Sequence, residues 1–183
     1  MPISEATYER VALEDPEGQW ELVCGRLRGK PGMTTEHNYA LYELDGLLHD
    51  ALDRHTYTVS VNAARLRIST GTYYIPDLAV IPREFQRRKL REMPGRLEVY
   101  DEPMPLVVEV WSPSTGDYDV EEKLREYQQR GDLEIWRIHP FERTLISWRL
   151  QADGTYSEEL HKGGAIRLAA LPSISIDLDA LFP

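Results

Sequence analysis

The apolar run PLVVEVW, residues 105–111, reads as a buried strand with a carboxylate, Glu109, in its middle. An unpartnered carboxylate in such a strand costs several kcal/mol, so a fold that buries this run must bring something to offset the charge. A second apolar segment, YYIPDLAVIP, carries Asp77 in the same way. Side chains alternate along a strand, so Asp77 shares a face with Ile75, Ala79 and Ile81, and Glu109 with Val107 and Trp111. If the two strands pair, both acids reach one spot on the sheet. Two carboxylates there repel, and one is neutralised unless a cation lies between them. Pro76 has no N–H and is a poor central-strand residue, so pairing is expected to break beside Asp77.

The segments around these strands set the fold class. Residues 3–13 read as a short helix, and 19–28 as a strand or hairpin arm followed by the glycine-rich turn GRLRGKPG. Apolar residues at 40, 41, 44, 47, 48, 51 and 52 give a helical stripe, with Thr34 or Thr35 as N-cap. Strands are expected at 57–68, 74–81, 105–111, 133–138 and 143–150, with two short ones near 155–168. Between 117 and 130, Val120, Leu124 and Tyr127 form the stripe of another helix. Asp119 and Glu122 have capping-box spacing at its start, and Gly131 ends it. Helix, strands, helix, strands is the order of a mixed α/β or α+β sheet domain. The length of 183 residues suits one domain spanning 1–183, and 42% hydrophobic residues suffice for a core.

Lys123 lies about 40° from Tyr127 and about 60° from Val120 around the second helix, at roughly 100° per residue. It therefore sits at the edge of the buried stripe, from which a helix following the Glu109 strand can aim it back at the acids. A lysine beside two carboxylates and a cation can orient water or offset charge on a phosphorane. Each residue also has a plainer role. Asp77 can be a turn residue after proline, Glu109 a salt-bridged core acid, and Lys123 an i,i+4 partner of Asp119. Packing does not readily explain all three together.

These residues resemble the Uma-two family of restriction-endonuclease-like proteins, within the PD-(D/E)xK nuclease superfamily. The matching segments are WELVCGRL, His37 near the start of the first long helix, IPDLAVI, VVEVWSPST, the series Asp119, Lys123, Tyr127, and EIWRIHP. The resemblance spans roughly residues 19–140. It implies a mixed β-sheet flanked by helices, often in a homodimer, and a Mg²⁺-dependent (or Mn²⁺-dependent) phosphodiesterase centre. It makes Asp77 and Glu109 metal ligands, with the Val110 backbone carbonyl a further one. The usual lysine two residues after the glutamate is Trp111 here, and Lys123 stands as its migrated substitute. Glu21 matches a recurring family acid and supports the site from another strand. Two positions depart from the family: Cys24 stands where an acid usually precedes glycine, and His139 where Asp usually precedes proline.

Charge and the remaining signals complete the expectation. A net charge of −10 argues against a non-specific nucleic-acid coat but leaves carboxylates for a hard cation. Arg83, Arg87, Arg88, Lys89, Arg91 and Arg96 cluster within residues 83–96, as a phosphate-contacting arm or a solvated helix. GRLRGKPG is an anion-holding loop or a plain hairpin turn, and His37 a capping or core histidine or a supporting site residue. The four tryptophans read as core. The lone Cys24 rules out an internal disulfide and a Cys-rich zinc site. With neither a leader pattern nor an apolar run approaching about 18 residues, the expectation is a cytoplasmic protein. No G-x-S-x-G, H-E-x-x-H or C-x-x-C occurs. The expected activity is Mg²⁺-dependent DNA endonuclease. The alternative is a non-catalytic nuclease-like domain for DNA binding or protein association, with a structural cation site.

Overall fold

The computed structural model describes residues 2–113 and 116–183, without the side chains of residues 16 and 116–120. In chain order the elements are α1 (Glu5–Glu14), β1 (Trp20–Val23), β2 (Arg26–Gly29), α2 (Thr35–Ala51), β3 (Tyr57–Val61), β4 (Arg65–Ser69), β5 (Thr72–Tyr74) and β6 (Leu78–Pro82). There follow α3 (Arg83–Glu92), β7 (Val99–Tyr100), β8 (Leu106–Val110), α4 (Gly116–Arg130), β9 (Glu134–His139), β10 (Thr144–Leu150), β11 (Tyr156–His161), β12 (Ala165–Arg167) and β13 (Ser175–Asp177). The fold is α+β. A six-stranded sheet runs β11-β10-β9-β8-β6-β3, a five-stranded sheet β2-β1-β5-β4-β7, and β12 pairs with β13.

Strand β8 lies inside the larger sheet, antiparallel to β6 and parallel to β9. A parallel neighbour needs a crossover, and α4 supplies it. Leu106, Val108 and Val110 pack with Leu41, Leu44 and Leu48 of α2 and with Ile166 and Ile176 of the C-terminal strands. Val107 on the other face packs with Leu66, Tyr74 and Tyr127. Both faces of β8 are covered, which is why its sequence is almost continuously apolar.

Three expected strands prove to be two elements each. The 19–28 segment folds back on itself at Cys24 and Gly25, whose φ values of 49° and 75° are those of a two-residue turn of the hairpin type. The segment RLRG is therefore β2, and the glycine-rich stretch after it is not the hairpin's turn. The 57–68 segment breaks at Asn62, which has φ 50°. Its first half, β3, joins the six-stranded sheet and its second half, β4, the five-stranded one. The 74–81 segment breaks at Ile75–Asp77, where Pro76 interrupts the ladder, and its halves β5 and β6 also divide between the sheets. Asp77 thus precedes β6 instead of lying within a strand. The two crossings meet, for Asn62 N–H donates to the Asp77 carbonyl at 2.9 Å. The seam between the sheets passes through Asp77.

Of the four tryptophans expected in the core, Trp136 and Trp148 are buried, whereas Trp20 and Trp111 are half-buried. Trp111 stacks on His139 with ring centroids 4.4 Å apart, and the exposed Phe141 meets it edge-on. Among the described residues no helix is long and apolar enough to cross a membrane.

Candidate active site

The break before β6 leaves the β8 ladder short of a partner, and the Asp77 side chain completes it. Asp77 Oδ2 accepts the Val110 N–H at 2.8 Å and stands 3.2 Å from His37 Nε2. His37 is fixed by the first turn of α2, where its own N–H donates to the Thr34 hydroxyl that caps the helix. Asp77 Oδ1 accepts Lys30 Nζ at 2.8 Å. The same ammonium donates to Asn62 Oδ1 at 2.7 Å and to the Ile75 carbonyl at 2.9 Å, so all three of its N–H groups have acceptors.

Glu109 finds its partners on α4. Lys123 and Tyr127 are one turn apart and share a helix face. Tyr127 O–H donates to Glu109 Oε1 at 2.7 Å, and Lys123 Nζ lies 3.4 Å from the same oxygen. Lys123 also donates to Glu21 Oε1 at 2.9 Å, and Glu21 Oε1 accepts the Ile75 N–H at 2.8 Å. The Lys123 ammonium lies 5.1 Å from the centre of the Tyr74 ring. Glu21 on β1 and Glu109 on β8 are thereby tied across the seam through one lysine.

The two acids ionise differently. Burial opposes the charge on Asp77, but Lys30 and then His37 outweigh it and hold the carboxyl well below the usual carboxylate range. Burial raises Glu109 from 4.5 to about 7; Lys123 pulls it down, and the nearby Asp77 charge pushes it up. For Lys123, burial favours the neutral amine, but Glu109 and Glu21 outweigh it and keep the ammonium protonated beyond its ordinary range. The Tyr127 phenol is raised well above its ordinary value, first by burial and then by Glu109.

Glu21, Lys30, Asp77, Glu109, Val110 and Lys123 help line a hollow of about 20 Å³. That is room for about one water-sized body. The donors suit a hard divalent cation, since Mg²⁺ commonly takes one or two carboxylates and completes its shell with water and phosphate. Among the described residues no three His, Cys, Asp or Glu side chains gather into a fuller cage.

The structure therefore brings together Asp77, Glu109, Lys123, Glu21, His37 and Val110. The Asp119 side chain lies outside the described residues. Lys30, Asn62 and the Tyr127 hydroxyl were not singled out from the sequence. Lys30 had one signal, as the cation in the glycine-rich stretch leading into the His37 helix. The basic residues of α3 are elsewhere. Their helix starts at the far end of β6 from Asp77, roughly 20 Å away at about 3.3 Å per residue. There Arg88 pairs with Glu102 and Lys89 with Asp101 at 3.3 Å, while Arg96, beyond the end of α3, pairs with Glu9. Arg83 donates to the Arg54 carbonyl and Arg87 to the His55 carbonyl.

Residues 6–179 match the family model Uma2, described as "Putative restriction endonuclease". No curated protein sequence matches the chain. Among solved structures, the crystal structure of a putative nuclease belonging to DUF820 from Anabaena variabilis ATCC 29413 has a TM-score of 0.71, with 90% of each chain covered and 18% identity. At that identity the likeness shows a shared fold.

Proposed function

The chain belongs to the Uma2 family, and from that premise we propose a Mg²⁺- or Mn²⁺-dependent DNA endonuclease of the PD-(D/E)xK type, acting by phosphodiester hydrolysis. The observation that carries the reading is the gathering of Asp77, Glu109 and Lys123 around one hollow. A metal ion held by Asp77, Glu109 and the Val110 carbonyl would polarise the phosphate and lower the pKa of bound water. Lys123 is the protein's own charge at the reacting centre. Held charged by Glu21 and Glu109, it can donate to the attacking water or to a phosphate oxygen as negative charge grows. Glu21 anchors that lysine, His37 fixes Asp77, and Tyr127 fixes Glu109. The basic face of α3 would contact DNA flanking the hollow, through the charge its ion pairs leave over. Pairing of two chains as a homodimer belongs to the same reading and is checked by light scattering.

Cleavage of mixed DNA substrates with Mg²⁺ or Mn²⁺ tests the proposal, comparing wild type with Asp77→Ala and Lys123→Ala. Each substitution is expected to lower the rate by roughly 100-fold or more. Unchanged rates in both end the proposal. The net charge of −10 favours a second reading, a non-catalytic domain for DNA binding or protein association with a structural cation. Its signature is a melting temperature raised by Mg²⁺ with no cleavage in any arm.

A further inference from the structure

We propose that Lys30 is a tethered cation that competes with the divalent ion for Asp77. The inference rests on the metal-dependent reading above and concerns the loading of that same site. Asp77 Oδ2 is already committed to the Val110 N–H and to His37, which leaves Oδ1 as the oxygen open to an incoming ion. Lys30 Nζ is bound to that oxygen at 2.8 Å. Mg²⁺ binds carboxylate oxygens at about 2.0–2.1 Å. A divalent ion on Oδ1 would then share one oxygen with an ammonium, and the two like charges would repel across a buried site. One of them must leave.

The lysine is built to hold and to be released. Its three acceptors come from the two chain crossings, the Asn62 side chain from one and the Ile75 carbonyl and Asp77 side chain from the other. Its backbone belongs to no helix or strand; it follows β2, whose four residues are all exposed, and precedes Pro31 and Gly32. A four-carbon stem on such a segment lets the ammonium swing away without moving a sheet. Lys30 thus keeps Asp77 paired and the protein stable when no divalent ion is bound. Loading the metal requires evicting it, which weakens divalent binding to the empty protein.

The test measures Mn²⁺ binding directly, by loss of the free-ion electron paramagnetic resonance signal, at neutral pH without DNA. Wild type, Lys30→Met and Asn62→Gly are compared. Lys30→Met is expected to bind Mn²⁺ about tenfold to a hundredfold more tightly, the range that one hydrogen bond to a charged group commands. Asn62→Gly removes one acceptor of the ammonium without changing the net charge, and glycine accepts the positive φ of that position. It is expected to tighten binding severalfold. If Lys30→Met needs a divalent ion to fold, Asn62→Gly decides alone.

The proposal is overturned if Lys30→Met binds Mn²⁺ no more tightly than wild type. It is also overturned if Lys30→Met tightens binding while Asn62→Gly does not, for then the effect is one of charge alone. Either result leaves the metal-dependent reading standing. Mn²⁺ binding by none of the three proteins up to millimolar concentration removes that reading and this inference together.

Discussion

Asp77, in the break before β6, and Glu109, within the neighbouring β8, line one hollow, yet they are held in opposite ways. Asp77 takes donors from three separate parts of the chain, a loop lysine, a helix histidine and a strand amide. They fix both of its oxygens and hold it ionised. Among the described residues Glu109 has two donors, both from one face of α4 and both on the same oxygen, Oε1. It titrates near neutrality. The charge state of a buried acid follows from how many donors reach it and how well they are shared. Among the described residues Lys123 divides its charge between two glutamates, while Lys30 has one carboxylate, Asp77, among its three acceptors. The rigid acid and the titrating acid therefore have different consequences when disturbed.

The largest effect is expected at Asp77. Asp77→Ala leaves the Lys30 ammonium without its carboxylate and the Val110 N–H without an acceptor. Removing one partner of a buried ion pair costs about 3–5 kcal/mol. Glu109→Gln, by contrast, keeps an acceptor for Tyr127 and replaces a group already half neutral at pH 7, so its cost should be about 1 kcal/mol. Urea denaturation at pH 7 measures both. Equal losses would break the distinction between the two acids.

The pH dependence of stability separates them further. Asp77 ionises more readily folded than unfolded. Its contribution is present above its ordinary value of 3.8 and is lost as the pH falls toward its lower folded value. Glu109 behaves in the opposite sense. Its folded value of about 7 lies above its ordinary 4.5, so the folded protein holds the proton longer. Its contribution is most favourable below 4.5 and declines as the pH rises through about 7. A shift of that size corresponds to about 3 kcal/mol at most. Denaturation midpoints between pH 4.5 and 8 should therefore fall on this limb in wild type, and Glu109→Gln should flatten it while leaving the acid limb below pH 4 in place. A limb that persists unchanged in Glu109→Gln would assign it to another group.

What could be read from the sequence follows the same division. The meeting of Asp77 with Glu109 was legible because an acid in an apolar strand is conspicuous, and pairing of two such strands places both acids together. Helical spacing placed Lys123 at the edge of the buried stripe, within reach of the acids, but left its pairing with Asp119 open. Lys30 was not legible, since its three acceptors lie 32, 45 and 47 residues away and its own segment reads locally as a turn. The strand breaks at Cys24 and Asn62 were hidden for a related reason. Cys24 is a residue type that does not signal positive φ, and Asn62, of a type that does favour it, was masked by the alternating pattern of 57–68. Pro76 did signal its break, but not that the chain there changes sheets. Tyr127 matched the apolar stripe of α4, and that match concealed its hydroxyl.

The smallest effect is expected at that hydroxyl. Tyr127→Phe keeps the ring against Tyr74 and Leu66 and removes the 2.7 Å donor to Glu109 Oε1. The loss should be about 1 kcal/mol, the usual value of one buried hydrogen bond. It should be larger at pH 8, where Glu109 is ionised and the bond is charge-assisted, than at pH 5, where the acid is protonated. With one donor removed from the carboxylate, Glu109 should titrate higher still, so the declining limb of the stability profile moves to higher pH relative to an unfolded chain. Denaturation of Tyr127→Phe at pH 5 and pH 8 reads both effects. A loss that is the same at the two pH values would mean that Tyr127 holds the core and not the charge of Glu109.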